Sequence, residues 1–142
     1  MEAEVSGDDK PRLIIDGAAF DTLEGFFQHF SEIAVGGFRW GHNLDAFNDV
    51  LRGGFGTPEG GFMLEWREHA RSRERLGYPE TTRQLELMLQ RCHPSNRPSV
   101  LSRLADARKG QGPTAFDWLV QIIADHGPGG DESEDGVELV LA

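Results

Sequence analysis

The chain has 142 residues, 38% of them hydrophobic and 27% charged, the balance of one soluble globular domain able to bury its own core. Its one cysteine, Cys92, excludes an internal disulfide framework and a multi-cysteine zinc site, and no apolar run nears the roughly 18 residues of a membrane span. The formal net charge of −10 comes from 24 acids against 14 bases, and eight of the acids lie in two short segments: Glu2, Glu4, Asp8 and Asp9, then Asp131, Glu132, Glu134 and Asp135.

Without those eight the body is close to neutral. The excess acid disfavours direct nucleic-acid binding, which needs a basic face, and permits a basic partner. Residues 1–10 are polar and acidic with no apolar h-region, so no signal peptide is expected. The expectation is a cytoplasmic, bacterial-type protein without membrane or nucleic-acid contacts, led by a disordered segment over 1–10.

Leu13-Ile14-Ile15 predicts a strand, ended by the turn pair Asp16-Gly17. Asp21 and Glu24 have capping-box spacing, and Leu23, Phe26, Phe27, Phe30, Ile33 and Ala34 recur at helical intervals as far as Gly36-Gly37. Asn43 is a natural N-cap for a helix that ends before Gly53-Gly54. The glycine-rich stretch 53–61 lacks the Gly-Lys-Ser/Thr ending of a phosphate loop and reads as a connection.

Phe62 to Trp66 predicts a second strand. Arg67, Arg71, Arg73 and Arg75 alternate with Glu65, Glu68 and Glu74, which suits a salt-bridged helix or loop. Leu85, Met88, Leu89 and Cys92 place one apolar stripe on a helix from about Glu80 to Cys92, with Cys92 as a buried thiol. Pro98 opens a helix to about residue 109, and Phe116, Leu119, Val120 and Ile123, widened by Trp118 and Ile122, define another. A flexible acidic loop over 127–136 then leads to a last strand, Val137 to Leu141. Strands separated by helices must pair in parallel, so the fold class is α/β, a small three-stranded parallel sheet flanked by helices.

The helix 43–52 is the informative segment. Leu44, Phe47, Val50 and Leu51 share one side, and Asp45, Asn48, Asp49 and Arg52 form a stripe on the other. Two carboxylates at i, i+4 repel by a few tenths of a kcal/mol, which a solvated face tolerates and a cationic partner would turn to use. A retaining-hydrolase pair is a third reading, and it requires a cleft around both acids. His42 reads as a surface contact, and Trp40, in the loop before the helix, as a possible interface aromatic.

Leu13 to Gly17, the block Trp40-Gly41-His42-Asn43-Leu44-Asp45-Ala46-Phe47-Asn48-Asp49-Val50-Leu51, and Phe62 to Arg67 together resemble the barstar family, intracellular inhibitors of secreted ribonucleases. The likeness is close over 13–67 and one of pattern over 114–141. It makes 1–142 a single domain with a helical insertion over 68–112, expected to be scaffolding. The resemblance implies a protein without catalysis or cofactor that plugs a barnase-like, guanyl-specific microbial ribonuclease with its acidic helix, and is a monomer when free. It implies partner contacts from Asp45 and Asp49, the latter central, with Arg39, Trp40, His42, Asn43, Asn48 and Arg52 around them. Asn43 could serve as the cap instead. Asn48 stands where the family carries an aromatic, and Arg52 adds a cation. Acids of the family's penultimate helix have only Asp117 and Asp125 as candidate counterparts. The alternative is an immunity or interaction module for a non-ribonuclease partner.

Overall fold

The computed structural model describes residues 10–35, 40–53, 57, 58 and 60–142. Residues 1–9 of the expected disordered lead, the expected helix end at Gly36-Gly37, and Arg39 lie outside them, whereas Lys10, the last residue of that lead, donates to the Gly136 carbonyl and to Glu138. Three strands, β1 (Arg12–Asp16), β2 (Phe62–Arg67) and β3 (Val137–Leu141), form one parallel sheet in the order β1-β2-β3. Helices α1 (Leu23–Phe30) and α2 (Leu44–Arg52) lie between β1 and β2. Helices α3 (His69–Arg75), α4 (Tyr78–Arg91), α5 (Arg97–Arg108) and α6 (Ala115–Asp125) lie between β2 and β3. The α/β reading with a small parallel sheet is thus the observed fold.

Side chains alternate across the strands. Ile15, Phe62, Leu64, Trp66 and Val137 point to the helices and join the main core, whereas Ile14 and Val140 on the other face are exposed. Glu65 lies in register between those two. Arg67 and Arg12 both donate to its carboxylate and hold it below the usual carboxyl range. Entry into β2 depends on Gly61. It has φ of +98°, and a Cβ there would sit 2.4 Å from the carbonyl oxygen of Gly136.

The core centre is aromatic. Phe26 lies 5.4 Å from Trp66 and 5.3 Å from Phe47, and Phe47 lies 5.0 Å from Phe30 in an edge-to-face arrangement. These rings tie α1, α2 and β2 together. At the start of α1 the expected cap is corrected. Thr22, not Asp21, accepts the N–H of Gly25, while Asp21 takes Arg75. With Thr22 as the cap, the third helical position is Gly25, which has no side chain to close a box, and Glu24 is engaged by Arg83 and Gln84. Beyond Phe30 the helix continues as one wider π turn, Ser31–Val35, which keeps Ala34 and Val35 in the core.

Helices α4 and α5 form a hairpin with its own small core of Leu85, Val100, Leu104 and Ala107. Trp118 of α6 packs against both clusters. The buried Glu80 accepts the N–H of Leu23 at 2.8 Å, and Thr81 Oγ1 accepts that of Ala115 at 2.7 Å. So the hairpin supplies hydrogen-bond acceptors to the first turns of α1 and α6. The arginine-rich stretch is helix α3. Arg67 pairs with Glu65, Arg75 with Asp21, and Arg73 lies 4.6 Å over the ring of Phe116. Leu76, just after it, is buried in the main core. Cys92 is half-buried, not a fully buried thiol. The helix closes at Arg91 and Cys92 adopts an extended conformation at its end, packed against the hairpin core from its edge.

Candidate functional site

Helix α2 owes its orientation to the division of its faces. Phe47, Val50 and Leu51 are buried, and Asp45, Asp49 and Arg52 are exposed. Asn43 caps it: its Oδ1 accepts the N–H of Ala46 at 2.8 Å, which settles the cap role left open above. The preceding Gly41 fits because a Cβ there would lie 3.0 Å from the Asn43 amide. His42 has φ of +49° and is exposed, its Nε2 2.9 Å from Ser31 Oγ and its ring 4.6 Å from that of Trp40. Trp40 is half-buried. Its ring sits edge-on to Phe27 at 5.6 Å, and its Nε1–H donates to the same Ser31 hydroxyl. The loop before α2 is therefore fastened to the end of α1.

The polar stripe divides in two. Asp45 stands clear in the first turn, where the helix dipole favours it. Asp49, with 56% of its side chain exposed, accepts from Arg52 Nη1 at 3.0 Å. Arg52 turns its remaining edge to Glu132, donating from Nε at 2.6 Å and Nη2 at 3.1 Å, a bidentate pair. That bond holds the Glu132 carboxyl below its usual range and the Arg52 guanidinium above its own. Asn48 is half-buried and faces inward, its Oδ1 2.7 Å from Nε2 of the buried His126. His126 Nδ1 lies 2.6 Å from Asp135.

The stretch expected to be a flexible acidic loop is therefore bonded in place. Glu132 N–H donates to the Asp125 carbonyl, Ser133–Asp135 form a 3-10 turn, and Val137 N–H donates to the His126 carbonyl. Glu132, Asp135 and His126 join the α2 neighbourhood, although no local sequence pattern ties any of the three to α2. The contact between Asn48 and His126 spans 78 residues, and no local spacing signals it. His126, Glu132 and Asp135 bring ligand-type atoms within 4.8 Å of one another. Both oxygens of Glu132 are taken by Arg52, and Asp135 by His126, so the donors of that group are engaged. Asp117 closes the capping box of α6 with Thr114, and Asp125 accepts from Gln121.

A groove of about 580 Å³ runs between the start of α2 and the α4–α5 hairpin, lined by Leu44, Asp45, Met88, Arg91 and Arg103 among others. Asp49 does not line it. This groove therefore does not enclose both acids, as a carboxylate-pair hydrolase would require. No helix among the described residues is long and apolar enough to cross a membrane.

A family model described as Barstar (barnase inhibitor) matches residues 11–97, more than half of the chain. The match takes in β1 through α4 and reaches the first residue of α5, so it includes the α2 site and extends past residue 67 into the hairpin. No curated protein matches.

Proposed function

This chain belongs to the barstar family, and from that premise we propose that it is a cytoplasmic inhibitor of a microbial, guanyl-specific ribonuclease of the barnase type, acting as a monomer until it binds. The observation that carries the reading is the exposed pair Asp45 and Asp49 on a helix whose other face is locked into the aromatic core by Phe47. A ribonuclease site is concave and cationic because it binds a polyanion. Two carboxylates on a rigid, capped helix meet such a site with little ordering entropy to lose.

In this reading Asp49 is the central contact and Asp45 its companion. Trp40, His42 and Asn43 border the site, Arg39 is a contact by the family resemblance alone, and Asn48 and Arg52 complete the stripe. Asn43 acts through the cap and Asn48 through His126, so both position the helix from behind. A groove that takes in Asp45 and not Asp49, with Asp49 exposed, supports an inhibitor over a hydrolase that would use the pair. Titration into a barnase assay tests this. A sharp equivalence point is expected. No inhibition across a panel of barnase-like enzymes would favour a partner that is not a ribonuclease.

A further inference from the structure

Arg52 poses a difficulty for an anionic face. It is a cation 3.0 Å from the carboxylate proposed to meet a cationic partner. Left to itself it would compete with that partner for Asp49. The structure divides it: Nη1 stays on Asp49 while Glu132 grips Arg52 from the other side with both oxygens. Glu132 comes from a turn 80 residues away, so something must hold that turn against α2.

His126 is that fastening. It is fully buried at the end of α6. One ring nitrogen lies 2.6 Å from Asp135 in the turn, and the other 2.7 Å from Asn48 on α2. Each ring nitrogen is thus within hydrogen-bond reach of one side chain, so the ring bridges the turn and α2. Glu132 itself approaches Nε2 to 3.9 Å. The ring and the Glu132–Asp125 backbone bond together fix the turn relative to α2.

We propose that His126 is a positioning residue of the inhibitory face: by fastening the 131–135 turn to α2 it keeps Glu132 on Arg52, which divides that cation between two carboxylates and weakens its competition with the partner for Asp49. Around Arg52 stand Glu132, Asp49 and Asp135, three acids against one base. The proposal rests on the reading that the α2 face binds a ribonuclease.

The test uses the full chain and barnase. Glu132→Gln and His126→Gln are each expected to raise the dissociation constant about tenfold, a coupling of ordinary size for one charged network. Arg52→Gln alone removes the competing cation and strengthens binding. In the Arg52→Gln background, Glu132→Gln and His126→Gln are expected to cost less than about twofold, because there is no cation left to divide. A merely structural role would not be rescued in this way. If His126→Gln melts early, Glu132→Gln and Asp135→Asn carry the comparison. Equal losses with and without Arg52 would overturn the proposal.

A measurement without any ribonuclease stands beside it. In the free chain the Arg52 Nε–H is expected to exchange more slowly in the parent than in Glu132→Gln or His126→Gln. Unchanged exchange would also overturn the proposal. If instead Asp49→Ala leaves inhibition intact, it is the α2 reading that fails.

Discussion

Asp45 and Asp49 lie one helical turn apart on the same exposed face, yet their surroundings differ. Asp45 has the N-terminal dipole beside it. Asp49 is beyond the reach of the dipole and has Arg52. A partner cation that docks on Asp49 is left without its carboxylate when that residue is truncated. Asp49→Ala should therefore weaken binding by about 2–5 kcal/mol, and Asp45→Ala by less, as read from dissociation constants for the two variants. The opposite order would mean that the two roles are exchanged. His29 offers a second test at this scale. Its Nε2 accepts the Asp16 N–H at 2.9 Å, a bond available only to an unprotonated nitrogen. Burial lowers its pKa from the ordinary 6.5, against the opposing pull of Asp16 and Glu32. The folded state thus favours the neutral ring. Its contribution to stability is complete above the unfolded value near 6.5 and is lost as pH falls from there through the lower folded value. Urea denaturation as a function of pH should show this loss, and His29→Gln, which cannot titrate, should flatten it. An unaltered slope in that variant would remove His29 as its source.

Helix α2 is held by its cap at one end and its aromatic underside along its length. Asn43→Ala should cost about 1 kcal/mol in chemical denaturation, within the usual range for a lost N-cap. Asn43→Asp and Asn43→Ser keep an acceptor at the same place and should recover most of that stability. If they recover stability but not inhibition, Asn43 touches the partner as well as capping. The helix was legible in the sequence because everything that defines it is local: Asn43 before it, Gly53 after it, and a 3.6-residue period between. The three strands were legible for the same reason. Local signals misled where a neighbour in space intervened. Asp21 has the spacing of a cap but is claimed by Arg75 of α3, and Thr22 caps in its place. The acidic stretch 131–135 has the composition of a loose loop, and composition carries no trace of His126 and Arg52 waiting to bind it. The site was therefore readable as far as the stripe of α2, and not in the acids that α6 and the following turn bring to its edge.

At the scale of the whole molecule the charge of −10 is unevenly placed, and the placement decides how it can act. Four of the concentrated acids occupy the 131–135 turn, which is bonded to α6 and reaches α2 through Glu132, so their field adds to that of Asp45 and Asp49 in a fixed geometry. Four more occupy the first nine residues. Charges of one sign at the docking side draw in a cationic partner from beyond contact distance and orient the encounter, an effect on association more than on dissociation. Added salt shortens the reach of that field to about 8 Å near 0.15 M and about 3 Å at 1 M. The association rate with barnase should therefore fall steeply as salt rises, while the dissociation rate changes little. Deleting residues 1–9 should lower the association rate at low salt and spare the dissociation rate, since those acids contribute at a distance. The difference between the full and shortened chains should then close as screening increases. An association rate indifferent to ionic strength would remove electrostatic steering from the account, leaving Asp45 and Asp49 to act only after contact.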